Sequence, residues 1–186
     1  MKKLISFILL AIIAFSCSND NQGTRDESEV LTVEKAKTWY GLNTKTSPVF
    51  KINSSTEALL SPVWEKAKSF SNEFVESVEV PYISDEDVES DFKFLGVPYY
   101  TKVGKNLTNE SYLKLVILKN ISTGEITSFT MVTYSDVSKG VSIKDNNYLT
   151  PSAHLNGLVF LYNSKSEFYC GWEYVHGELI NVLKPS

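Results

Sequence analysis

The C-terminal half of this chain is written in a period of two. Tyr112 to Lys119 (YLKLVILK) and Ile126 to Tyr134 (ITSFTMVTY) are rich in β-branched and aromatic residues, and Asn120-Ile121-Ser122-Thr123-Gly124-Glu125 separates them as a turn containing a glycine. Leu155 to Tyr162 and Glu167 to Val175 repeat the arrangement around Asn163-Ser164-Lys165-Ser166, and His176-Gly177 then leads into Glu178 to Leu183. A two-residue connection of this kind needs positive φ, which glycine takes readily. With a further strand at Val75 to Tyr82, the pattern predicts about six strands that close as a meander. Phe168, Cys170, Trp172 and Tyr174 share one face of their strand by alternation, with Cys170 turned inward as a small hydrophobe.

Upstream the period changes. Val33, Ala36 and Tyr40 fall on one face of a short helix with Thr32 as its N-cap, Glu34 in its first turn, and Gly41 and Asn43 as stop signals. Residues 43–61 read as a loop with an extended piece near Val49 to Ile52. Ser61-Pro62 resembles a cap and first-turn proline, and Val63, Trp64, Ala67, Phe70 and Phe74 keep helical spacing, which predicts a second helix to about residue 72. One or two helices followed by strands is the order of an α+β domain with an antiparallel sheet, cystatin-like or NTF2-like in layout, with a small β-sandwich as the alternative.

The N-terminus carries an address. Lys2 and Lys3 precede the apolar stretch Leu4 to Phe15, which is too short to span a bilayer and reads as an export signal. Ala14-Phe15-Ser16-Cys17 resembles a bacterial lipobox, so residues 1–16 are expected to be removed and Cys17 acylated; an ordinary secretory peptide with an incidental cysteine is the alternative. Two or more acyl chains make anchoring stable, because each buried CH₂ contributes about 0.8 kcal/mol. Ser18 to Glu29 has no apolar side chain and reads as a tether reaching roughly 20 Å, which leaves residues 30–186 as a single globular domain. Cys170 would then lack a disulfide partner.

Losing residues 1–16 removes two lysines and takes the net charge from −4 to −6, which excludes a general nucleic-acid binder. The expected location is the cell envelope, lipid-anchored at the outer membrane, with the periplasmic or surface face left open. The segments TVEKAKTWY (32–40), SVEVPY (77–82), YLKLVILKN with STGEI (112–126), NGLVFLY (156–162) and GWEYVHGEL (171–179) together resemble a group of uncharacterised lipoproteins of Bacteroidota. That resemblance implies an exported lipoprotein and carries no catalytic residue with it.

Chemistry is sparse along the chain. His154 lies in a loop before a strand and His176 in a tight turn; neither is accompanied by a nucleophile elbow, an HExxH pair or Cys/His metal spacing. Asp85, Glu86, Asp87, Glu89 and Asp91 form an acidic run without the spaced ligands of a calcium loop, and Asp145-Asn146-Asn147 reads as a turn. No cofactor, metal or catalytic residue is expected. Most of the twenty-three aromatic residues belong to the core, but Tyr99-Tyr100, Trp39-Tyr40 and Tyr169 with Trp172 exceed what a small core needs on one face, and Tyr99, Tyr100 and Tyr169 are the candidate binding residues. The expected function is a non-enzymatic binding or accessory domain for a protein, peptide or glycan, partnered with the bilayer through Cys17; the alternative is an envelope hydrolase or glycan-processing enzyme using His154 or the acidic run.

Overall fold

The computed structural model describes residues 30–44, 49–51, 57–84, 111–135, 144 and 146–185, and Leu31–Ser186 forms one compact unit. Cys17, the tether, the acidic run 85–91, Tyr99 and Tyr100 lie outside the described residues.

Helix α1 spans Val33–Asn43, with the Thr32 hydroxyl accepting from the Lys35 N–H at 3.3 Å. It runs past Gly41 because Asn43 donates through Nδ2 to the Trp39 carbonyl and the Thr44 N–H closes on Tyr40. The chain then forms β1 (Val49–Lys51), β2 (Glu57–Pro62), a single 3-10 turn (Trp64–Lys66), β3 (Lys68–Ser71), β4 (Val75–Ser84), β5 (Ser111–Asn120), β6 (Ile126–Ser135), β7 (Gly157–Tyr162), β8 (Phe168–Val175) and β9 (Glu178–Leu183). The class is α+β and all strand pairing is antiparallel.

Two expectations are corrected. The described residues hold one helix, and the sheet has nine strands where six were expected. The predicted second helix is instead the end of β2, the 3-10 turn and β3. Helical spacing over residues 63–70 is overridden because Lys68–Ser71 satisfies its backbone against Glu76–Glu79 of β4, while the Asn72 side chain accepts the N–H groups of Phe74 and Val75 and so closes a tight hairpin. Trp64 is freed to meet Tyr40 edge-on at 5.9 Å, which covers the aromatic end of α1.

Strand order is β1-β2-β4-β5-β6-β7-β8-β9, with β3 beside the N-terminal part of β4 and β2 beside its C-terminal end. From β4 onward each strand pairs with the next. The turns follow their residues: Gly124 has φ 70°, and His176 and Gly177 both have positive φ (51° and 74°), as a two-residue primed turn requires.

Both sheet faces are packed. On one, Val78, Val80, Leu115 and Ile117 lie under α1, and Leu113, Val132, Tyr134, Leu158, Phe160 and Tyr162 continue the layer. On the other, Val116, Leu118, Met131, Val159, Leu161 and Tyr174 pack with Leu155 and Tyr148 of the β6–β7 connection.

A bulge divides β8 between the two faces. Leu161 pairs with Cys170 but Tyr162 with Phe168, so Tyr169 is an extra residue. Phe168 therefore joins the α1 side while Cys170, Trp172 and Tyr174 join the other, which corrects the expectation that all four share a face. Alternation fails at a bulge because one residue is unpaired.

Candidate functional site

Strand β4 carries Glu76 and Glu79, both almost fully buried. An odd separation on a strand sends them to opposite faces. On the face away from α1, Glu79 is a diagonal neighbour of Lys114 across the β4–β5 ladder, and its Oε2 lies 3.1 Å from Lys114 Nζ. Its Oε1 accepts the Tyr148 N–H at 2.6 Å. Lys114 Nζ also donates to the Asn146 carbonyl, and Asn146 Oδ1 accepts the Ser152 N–H at 3.0 Å. Burial pushes the Glu79 carboxyl above its ordinary pKa, while the Lys114 charge, the Tyr148 N–H and Lys68 hold it back.

The same connection is tied at its other end by Asn156. Its Nδ2 donates to the His154 carbonyl at 3.0 Å and its Oδ1 accepts the His176 N–H at 2.9 Å; Ser135 Oγ donates to the Asn156 carbonyl. The Gly177 N–H bonds the Leu155 carbonyl, so the β8–β9 turn rests against residues 153–156. His154 and His176 are both exposed and share this junction through their backbones.

Clamped this way, Tyr148 sets its ring edge-on to Trp172 at 6.0 Å. Beyond Trp172 the face carries Cys170, and then Tyr169, 55% exposed and packed at a tilt of 38° against Phe129 of β6, ring centroids 5.0 Å apart. Burial lifts the Tyr148 hydroxyl to about 12, with Cys170 and Tyr169 near enough to add to the effect. Burial also lifts the Cys170 thiol to about 11, so it stays protonated at neutral pH. Trp172 pairs with Val182 of β9 and Tyr174 with Leu179, which extends the row onto the half-exposed side chains of the last strand.

Of the expected binding residues, Tyr169 is described and is presented on this surface. Among the described residues no group of three His, Cys, Asp or Glu side chains could hold a metal ion, and no helix is long and apolar enough to cross a membrane. Asn146, expected only as a turn residue, is a buried part of the clamp, and Asn147 makes the turn through its bonds to Thr150. Sequence reasoning passed over Glu79, Lys114, Asn146 and Asn156. A signal for one was present: a lysine inside the apolar run YLKLVILK is rarely buried unless paired. Comparison with family models, curated proteins and solved structures finds no match to this chain.

Proposed function

We propose that the chain is a non-enzymatic binding or accessory domain, carried at the cell envelope by an acylated Cys17 and taking a protein or peptide on the aromatic row of its sheet. The observation that supports this most is Tyr169: a large side chain, more than half exposed and in tilted ring contact with Phe129, continuous through Trp172 with exposed apolar positions of β9. Aromatic side chains offer large contact area at low entropic cost, which is why such rows serve recognition. The glutamate clamp supplies rigidity, because it fixes Tyr148 against Trp172 before any partner arrives. We read the layout, a helix across an antiparallel meander, as cystatin-like or NTF2-like, and the chain as a lipoprotein of the Bacteroidota type.

The test is capture from envelope extract with residues 30–186 as bait, in parallel with Tyr169→Ala. A stoichiometric partner retained by the native surface and lost from the variant is the expected result. Equal capture by both, or none by either, overturns this reading. Replacing Cys17 with Ser in cells should move the protein from the membrane to the soluble fraction and abolish fatty-acid labelling.

A further inference from the structure

The chain has two histidines, His154 in the β6–β7 connection and His176 in the β8–β9 turn, and the fold brings both to one junction. A single carboxamide clips them together: Asn156 Nδ2 donates to the His154 carbonyl at 3.0 Å and Asn156 Oδ1 accepts the His176 N–H at 2.9 Å. Since the oxygen and nitrogen of one carboxamide lie only about 2 Å apart, the two bonded peptide groups stand within about 8 Å of each other. Their neighbours are closer still. A Cβ on Gly177 would fall 2.7 Å from the Ala153 Cα, so the residue after His176 touches the residue before His154.

The clip is buried and the histidines are not: Asn156 is 5% exposed, while His154 and His176 are both open to solvent. Two exposed imidazoles rooted on adjoining backbone are free to choose the rotamers that bring one nitrogen from each to a shared cation. A Zn²⁺–N distance of about 2.0–2.1 Å in a tetrahedral shell sets those nitrogens roughly 3.3 Å apart. We propose that His154 and His176 form a surface site for a borderline divalent transition cation of the Zn²⁺ kind, with solvent completing its coordination. Imidazole selects such ions over Mg²⁺ and Ca²⁺, which take oxygen ligands. Two protein ligands, where structural zinc sites supply four, make the binding reversible. The consequence is mechanical: the ion ties the 146–156 connection to the β8–β9 turn through side chains, alongside the backbone bond from the Gly177 N–H to the Leu155 carbonyl. An ion that binds only the folded chain raises its melting temperature.

Isothermal titration of the Leu31–Ser186 unit, carrying no histidine tag, with zinc chloride and separately with magnesium and calcium chloride tests it. One saturable zinc site per chain, a melting temperature raised by zinc, and no response to the other two salts are expected. His154→Ala and His176→Asn should each weaken zinc binding by roughly tenfold or more and remove the thermal shift. Asparagine suits position 176 because φ there is 51°, a left-handed value that it tolerates. Both positions are exposed, and unchanged far-UV circular dichroism verifies the fold of each variant. A native chain without saturable zinc binding up to millimolar zinc, or zinc binding that persists undiminished in either variant, overturns the proposal. Neither histidine belongs to the aromatic row, so the outcome is separable from partner capture through Tyr169.

Discussion

Glu76 and Glu79, three residues apart on β4, hold opposite layers of the protein. Glu76 Oε2 accepts the Leu31 N–H at 2.9 Å with Lys119 at 3.7 Å, which ties the lead-in to α1 onto one face; Glu79 holds Tyr148 and Lys114 on the other. One strand thus anchors both the helix and the 146–156 connection. A carboxylate suits each place, since it accepts from a backbone N–H and a lysine at once.

Removing one member of the buried pair should cost more than removing both. Glu79→Ala leaves Lys114 buried beside an empty site and the Tyr148 N–H without its acceptor, a loss of about 3–5 kcal/mol. The double variant Glu79→Leu, Lys114→Met should be more stable than that single variant. Urea denaturation of the three proteins decides it, and a double variant less stable than Glu79→Ala would contradict the account.

The pH dependence has a defined sign. Glu79 is raised above its ordinary value of 4.5, so the native state holds its proton more tightly than the unfolded chain does. Its contribution is present in full below about pH 4.5 and is lost as pH rises through the higher folded pKa. Measured against the double variant E79L/K114M, which cannot titrate there, native stability should decline relative to the variant from about pH 4.5 upward. A relative gain over the same range would be the opposite sign.

Glu76→Ala should act locally. Loss of a charge-assisted bond to the Leu31 amide costs about 1.5–3 kcal/mol, and hydrogen exchange should quicken first at Leu31 and through α1. The 146–156 segment, on the other face, should keep its protection. Equal acceleration in both segments would show that the two anchors are not independent.

Two glycines separate close approach from turn geometry. A Cβ at Gly157 would fall onto the Tyr134 carbonyl oxygen in the ladder beside β6, and alanine there should prevent folding. At Gly124 a Cβ meets nothing within 4 Å, and only its φ of 70° opposes alanine, a cost of about 1–2 kcal/mol. Thermal melts of the two variants should therefore differ sharply, with Gly124→Ala still folded.

The strands from β4 to β9 and helix α1 were legible in the sequence because their causes are local: alternation, a capping threonine and glycines at positive φ. Tyr169, offered by the sequence as a surplus aromatic, is more than half exposed in the fold. Residues 63–71 were not legible, because helical spacing there yields to hydrogen bonds offered by β4, a partner that local pattern cannot represent. The two faces of β8 were decided by one unpaired residue at the bulge. The structural weight of Glu79, Lys114, Asn146 and Asn156 was likewise tertiary: a buried polar group is stable only against a partner, and here Lys114 and Tyr148 stand 35 and 69 residues from Glu79, while Asn156, besides its local bond to His154, meets Ser135 and His176 across 21 and 20 residues. Periodicity determined which segments would be strands. Only the folded sheet determined which polar side chains would find each other across it.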